Sequence, residues 1–537
     1  MGLPLKSITI VGGGTSGWLT AVFLARAAKA SIEDGSLEIA LIESPKIPII
    51  GVGESTSPAL PQFFQAIGVD EKKFIKQANA TFKLSGYFDN WNVFPDGSPR
   101  TWINPFMAQK LVSGRSAGYY YLKYGREPGG LADGYTNAIS PCPELIRLGR
   151  GPRLLGKGPY ESVVQHAYHM DALILAEHLR DLGISKGVKH IVDDVVNVNL
   201  DERGFVSSLD LEKHGSHPIE LVIDSTGFAG VIINKALGEP FIPFDKYLPN
   251  DRAVVMQIPH EDPTKIEPIT RSTALGNGWV FNVPLFNRIG TGYVFSSQFT
   301  SDEAAAAEFK AHIGPRANDI EPRVIRMRIG KSRRSWVKNC VAIGLSSGFV
   351  EPLEATAIHS VDLAARWLYT HFPDSDFDPA LADGYNKRID ALYDEIVDFV
   401  ALHYRLNNRT DTEYWRVARE ERPIPESLKG LLALWKYKMP DDNDLPSEYF
   451  FSAISYLAAL MGKGFYDDIT PELPGVEESA WRDTVKIRSE EARQLAAHLP
   501  EHYDLLRNLR GEDGMPPPPP SAPPVEKMSM SINFRNH

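Results

Sequence analysis

Three glycines with fixed spacing, Gly12-x-Gly14-x-x-Gly17, stand directly behind the apolar run Ser7-Ile8-Thr9-Ile10-Val11. Helical apolar spacing follows over residues 18–30. This pattern suits a pyrophosphate: the first glycine makes the tight turn, the second lets the backbone approach the phosphates, and the third lets helix and strand pack closely. Free N–H groups of the first helical turn, at Thr15 and Ser16, and the positive end of the helix dipole complete an anion site. A second apolar run over 37–42 ends at Glu43, where a carboxylate can accept from a ribose hydroxyl. Strand, glycine turn, helix, strand and acid together make a dinucleotide-binding unit.

A further segment, Leu221-Val222-Ile223-Asp224-Ser225-Thr226-Gly227, resembles the strand-DxTG signature of FAD-dependent monooxygenases, so FAD is the expected ligand. No second GxGxxG would house a nicotinamide, so the reducing equivalents come from elsewhere. Four other segments resemble the flavin-dependent tryptophan-halogenase family. Gly51-Val52-Gly53-Glu54-Ser55-Thr56 resembles its flavin-contacting strap, and Thr81-Phe82-Lys83 the segment carrying its catalytic lysine. Trp279-Val280-Phe281-Asn282-Val283-Pro284 resembles its WxWxIP signature, with Phe and Val substituted. Gly344 through Ile358, GLSSGFVEPLEATAI, resembles its halide and active-site loop.

The resemblance implies an enzyme that uses reduced FAD and O₂ to oxidise chloride or bromide to hypohalous acid, with a separate flavin reductase as partner. Lys83 would hydrogen-bond that electrophile or be halogenated by it, and Glu354 would orient it and remove the ring proton. Cofactor contacts are expected at Gly12, Gly14, Thr15, Ser16, Gly17, Glu43, Gly51, Val52, Gly53, Glu54, Ser55, Asp224, Gly344 and Ile358. Halide contacts are expected from the amides of Thr356 and Ala357. The family more often has Ser and Gly where this chain has Ala355 and Ala357, and an alanine at 357 takes a positive φ only at a cost. The same fold and the Asp224 segment also suit a flavin monooxygenase that hydroxylates an aromatic. That alternative stays open at this point.

On the substrate side, Asn104-Pro105-Phe106 stands where the family has His-Pro-Phe, and Phe450-Phe451 where it has Phe-Trp. Residues 435–448 lack the Tyr-Tyr and downstream Glu that free-tryptophan enzymes use to hold the amino-acid moiety. A site without those polar pairs favours indole, an indole derivative or another electron-rich aromatic over free tryptophan. Tyr168-His169-x-Asp171 reads as a structural histidine beside a helix N-cap.

The elements that must position these groups follow from the wider pattern. The fold class is α/β: an FAD-binding Rossmann-like domain of the flavin-monooxygenase type with a mainly helical substrate module. The expected organisation is an FAD-binding box over 1–360, with an irregular excursion near 86–160, then a helical module over 361–512 and a Pro-rich tail over 513–537. Alternating strands are expected over 188–224 and 253–297, and long amphipathic helices over 358–371 and 379–406. A net charge of −11 without a basic stripe argues against a nucleic-acid or membrane partner. Two distant cysteines, Cys142 and Cys340, exclude a disulfide framework and a cysteine-rich metal site, and suit the cytoplasm. The glycine turn so near Met1 leaves no room for a signal peptide, and no apolar stretch is long enough to span a membrane.

Overall fold

The computed structural model describes residues 2–47, 51–126 and 134–512. The tail expected over 513–537 therefore lies outside the described residues. The elements that build the site are, in chain order, β1 (Ser7–Val11), α1 (Thr15–Ala27), β2 (Glu38–Glu43), β3 (Glu54–Ser55), β4 (Thr81–Lys83), β5 (Ser85–Val93), β6 (Pro99–Pro105) and β7 (Ala167–Met170). They continue with α2 (Ala172–Ser185), β8 (Lys189–Val192), β9 (Leu221–Asp224), α3 (Ala357–Thr370), α4 (Pro379–Arg405) and α5 (Ala453–Gly462).

The dinucleotide unit is a six-stranded sheet in the order β8-β2-β1-β9, then Cys340–Ala342 and Trp336–Val337. The strands from β8 to Cys340–Ala342 are parallel; the last pair is antiparallel. Parallel strands buried on both faces need continuous apolar runs, which is why β1 and β9 read Ile-Thr-Ile-Val and Leu-Val-Ile. α1 covers one face, burying Trp18, Leu19, Val22 and Leu24. The carboxyl ends of β1 and β9 sit side by side, with Val11 opposite Asp224.

A seven-stranded sheet lies beside it, ordered Arg323–Arg326, Arg252–Ile258, Ile289–Phe295, Gly278–Pro284, Ile269–Ala274, β5, β6. The excursion expected to be irregular near 86–160 therefore begins with an antiparallel hairpin, β5 and β6, paired parallel to Ile269–Ala274. Its alternation is broken because the register slips between Asp89 and Asn92, where Asn90 takes φ 61°. A small third sheet, β3-β7-β4, ties three distant segments together. The expected helices over 358–371 and 379–406 are α3 and α4, and α2 is the helix that follows the N-cap expected at Asp171. Asp171 caps α2 by accepting from the Leu173 amide at 3.1 Å, and pairs with Arg288 at 2.7 Å. One hydrophobic cluster runs from Leu5 to Leu509, so sheets and C-terminal helices share a core. Among the described residues no helix is long and apolar enough to cross a membrane, and Cys142 and Cys340 are buried free thiols.

That core contains a buried ion pair. Glu71 and Arg153 are both about 1% exposed, and the guanidinium meets both carboxylate oxygens. Tyr168 OH and the Tyr160 amide also donate to Glu71. Removing one partner strands the other charge in the core. Glu71→Ala is expected to destabilise the protein by about 3–5 kcal/mol, read as a shift in the denaturant midpoint; a change below about 1 kcal/mol would show the pair to be solvated.

Candidate active site

The glycine loop has the shape its sequence implies. Gly12 takes φ +118°, and a Cβ there would lie 2.2 Å from Ser225 O. A Cβ on Gly17 would lie 1.9 Å from Gly12 O, whereas one on Gly14 would meet nothing within 4 Å. The open side of the loop is thus at Gly14, which leaves room there for a pyrophosphate. The hydroxyls of Thr15 and Ser16 are turned away, donating to Ala172 O and Ile343 O. The N-terminus of α1 carries no acidic side chain in its first turn and no side-chain cap, which leaves its amides to an anion. Glu43, at the end of β2, lies against the loop and 2.9 Å from His190 Nε2. Gly344 takes φ +81° and packs on Ser16, and Ile358 is buried in the first turn of α3. These features fit the adenosine-diphosphate half of FAD.

Asp224 behaves differently from the expectation of a cofactor contact. Its Oδ1 accepts from Thr226 N and Thr226 Oγ1, and its Oδ2 from Ile232 N and Ile233 N. The carboxylate is committed to shaping its own chain beneath the glycine loop.

Lys83 is placed by the small sheet. β7 pairs with β3 on one side, Ser55 opposite His169, and with β4 on the other, Lys83 opposite Ala167. The strap that carries Gly51, Val52, Gly53, Glu54 and Ser55 is thereby fixed one strand away from the lysine. Lys83 Nζ donates to Ser55 Oγ at 2.9 Å and to Thr56 O at 3.1 Å, and lies 5.4 Å from the Phe106 ring centre. The side chain is 5% exposed. Burial lowers its pKa to about 8, against a raising influence from the Glu354 charge. Burial and the nearby Asp171 carboxylate push Glu54 up to about 7. His169 is structural: it is fully buried between the hydroxyls of Thr81 and Thr270.

The loop 344–358 delivers the second group. Ala355 takes φ 56°, ψ 40°, while Ala357 opens the right-handed helix α3. The strain expected at Ala357 falls instead at Ala355, and costs about 1–2 kcal/mol for a residue with a Cβ. The turn sends Thr356 and Ala357 into the first turn of α3, where helix geometry leaves amides without intrahelical acceptors. That is the chemistry a halide needs.

Glu354 stands just before the turn, its side chain 7% exposed. Asn104 Nδ2 donates to its Oε2 at 3.1 Å, and His403 Nε2 lies 3.1 Å from its Oε1. Asn104, expected to wall the substrate, therefore reaches the carboxylate from the end of β6. Because β5 follows β4 after one residue and Gly86 faces Asn104, the hairpin register brings Phe106 to Lys83 and puts Asn104 where it meets Glu354. Three residues earlier, Glu351 Oε2 accepts from Asn250 Nδ2, Trp279 Nε1 and Tyr404 OH. Trp279 is thus a buried anchor for the loop, with Phe281 half-buried beside it at 6.2 Å between ring centres.

The two phenylalanines of the far wall divide their work. Phe451 is 4% exposed and stacks on Phe399 with centres 4.0 Å apart, a supporting ring. Phe450 keeps part of its surface free and meets His359 edge-on at 4.6 Å. Sequence reasoning missed what holds them. Glu395 of α4 accepts from Ser447 Oγ and from the amides of Tyr449, Phe450 and Phe451. It also missed His403 and the buried Lys463. Glu395 and His403 occupy positions of the inward stripe of amphipathic α4, and a titratable residue there is the signal that could have exposed them; Lys463, just past the end of α5, carries no such signal.

An FAD cradle at the end of a parallel sheet, with a buried lysine and a buried carboxylate beyond it, defines a flavin-dependent oxidoreductase acting through side-chain acid–base groups. The chain matches the tryptophan halogenase family over residues 7–475. It is 36% identical to 7-chloro-L-tryptophan 6-halogenase KtzR of Kutzneria sp. (strain 744), covering 94% of this chain and all of that one. Among solved structures it resembles tryptophan 6-halogenase SttH of Streptomyces toxytricini, at 36% identity and TM-score 0.86 over 94% of this chain and 100% of that one. It also resembles BrvH, a flavin-dependent halogenase from Brevundimonas sp. BAL3, at 34% identity and TM-score 0.83 over 94% and 99%. The chain belongs to the tryptophan halogenase family: it is a flavin-dependent halogenase, with FAD as cofactor and a halide as co-substrate. Membership decides against the aromatic hydroxylase that the sequence left open.

The cradle gives a direct test. Gly17→Ala forces a methyl against Gly12 O, so the loop must shift; FAD affinity is expected to fall at least about tenfold, or 1.4 kcal/mol. Flavin fluorescence titration measures it, and unchanged affinity would show that the loop does not hold the pyrophosphate.

Proposed function

We propose that the protein halogenates indole, an indole derivative or a similarly electron-rich aromatic, taking reduced FAD from a separate flavin reductase. Bound in reduced form, the flavin would supply two electrons that bring O₂ to the peroxide level, the oxidant that converts chloride or bromide into hypohalous acid. The amides of Thr356 and Ala357 hold the halide for that step. Lys83 then captures the hypohalous acid. Two of its three N–H bonds are fixed by Ser55 and Thr56, which leaves the third for the electrophile beside Phe106. Glu354 takes the proton from the halogenated ring carbon. The observation that carries the reading is the joint burial of Lys83 and Glu354 beyond a flavin cradle, each steered by neighbours.

The preference for a simple aromatic rests on where the acidic groups near the far wall are spent. Glu395 is used by four donors, Asp444 by Lys438 Nζ and Trp435 Nε1, and Asp442 by the Ala453 amide. Glu448 is exposed. Glu395, Asp442 and Asp444 are thus committed to the protein's own donors and Glu448 lies at the exposed surface, and a site lacking a buried partner for the ammonium discriminates little in favour of free tryptophan.

Three measurements test the proposal. With FAD, a flavin reductase, NADH, O₂ and bromide or chloride, indole is expected to yield halogenated product with kcat/KM at least about tenfold above L-tryptophan. A preference for L-tryptophan would overturn the substrate reading, and oxygenated product alone would overturn the reaction. Lys83→Met is expected to lower product formation by about 10²–10⁴-fold, the range for loss of a positioned proton donor; product within about threefold of the unsubstituted enzyme would refute the relay. In the unsubstituted enzyme the rate should fall as pH rises through about 8, because the ammonium that donates to hypohalous acid is lost there.

A further inference from the structure

His403 lies near the end of α4 with no exposed surface. Its Nδ1 is 2.8 Å from Phe399 O. A carbonyl oxygen only accepts, so Nδ1 carries a hydrogen. Its Nε2 is 3.1 Å from Glu354 Oε1, off the line of a well-aligned hydrogen bond, and neither atom has any other hydrogen-bond partner. A neutral imidazole with its hydrogen on Nδ1 would press a lone pair against a carboxylate oxygen, in an interior where that repulsion is strong. One proton between the two atoms turns the repulsion into a bond. Imidazolium with carboxylate, and imidazole with carboxylic acid, are two forms of the same one-proton pair.

The surroundings keep that proton in place. The rings of Phe88, Trp91, Trp102 and Phe399 enclose the imidazole with centres 4.9–5.9 Å away, which excludes water. The charged groups that face it are Glu354 and Lys463. Lys463 follows α5, is 4% exposed, and donates to His403 O at 3.2 Å and Asn92 Oδ1 at 3.4 Å. Burial lowers the basicity of His403; contact with Glu354 opposes that and Lys463 adds to it. Asn104 occupies one lone pair of Glu354 Oε2, and the other is left for an incoming proton.

We propose that His403 is a positioning residue for halogenation: it and Glu354 hold one proton between Nε2 and Oε1, and the pair, not the carboxylate alone, takes up the ring proton. This rests on Glu354 being the base of the proposed function. In the step, the ring C–H bond breaks and its electron pair returns to the aromatic system. The proton goes to Glu354 Oε2 while the shared proton settles on His403 Nε2. The pair passes from net neutral to a single positive charge, and one proton leaves to solvent before the next turnover.

The test compares the unsubstituted enzyme with His403→Gln and His403→Asn, in competition between indole and ring-deuterated indole. Glutamine reaches Glu354 with an amide that donates but cannot accept a second proton; asparagine keeps the Phe399 bond but falls short of Glu354. Both variants are expected to lose about tenfold or more in product formation, and the light-to-heavy product ratio should exceed that of the unsubstituted enzyme, because C–H cleavage has become slow. Native turnover in His403→Gln would reduce the role to a hydrogen bond and overturn the proposal. Lost turnover with an unaltered isotope ratio would show a packing defect and overturn it too. A readout independent of folding is the nitrogen NMR of labelled histidine in the unsubstituted protein near neutral pH. Nε2 of His403 should be protonated or hydrogen-bonded, and a bare nitrogen would refute the pair. Absence of any halogenated product from the unsubstituted enzyme would instead sink the function reading itself.

Discussion

A carboxylate taken out of water has to be met by donors, and the placement of α4 is what meets them here. Its inward face carries Glu395, His403 and Tyr404, and each makes a polar contact with a loop that borders the site. Tyr404 holds Glu351 and His403 faces Glu354, so two consecutive helical residues fix two carboxylates three residues apart in the loop opposite. Glu395, two turns earlier, holds the backbone of the wall loop at 447–451. A helix of 27 residues is about 40 Å long, stiff enough to set both loops in one frame. The loop carrying Glu351 and Glu354 and the aromatic wall thus take their positions from one rod.

The flavin end of the molecule obeys a different constraint, close approach of backbone. Gly12, Gly17 and Gly344 each sit where a methyl would strike backbone or hydroxyl within 2.3 Å. These positions demand glycine regardless of what else the chain does, and for that reason they are visible in the sequence. The β1–α1–β2 unit, the helices at 358–371 and 379–406, and the N-cap at Asp171 were legible for similar local reasons: period, cap and turn chemistry are written within a dozen residues.

What was illegible depended on distance along the chain. The hairpin at 85–105 was hidden by its bulge at Asn90, which breaks the alternation a strand is known by. Asn104 reads as a substitution in an aromatic wall; only the packing of β6 against the loop at 354 shows that its amide reaches the carboxylate. Asp224 reads as a cofactor ligand because its motif is one, yet its four hydrogen bonds stay within ten residues. Ala355 and Ala357 stand two apart, and which of them carries the positive φ depends on where α3 begins. His403 and Lys463 lie 49 and 109 residues beyond Glu354, so nothing local ties them to the site.

The small sheet β3-β7-β4 has a consequence for how the cofactor and the relay communicate. The strap expected to contact the flavin and the strand carrying Lys83 are hydrogen-bonded to opposite edges of the same four-residue strand, and Ser55 touches the lysine directly. Ser55 is therefore the contact through which the strap and the ammonium would sense one another. Thermodynamic linkage then requires the exchange to be reciprocal: by whatever factor an occupant at Lys83 alters the hold on the flavin, the flavin alters the hold on that occupant by the same factor. A flavin held by the strap and an occupant held by Lys83 would then share, through one short strand, a single binding equilibrium.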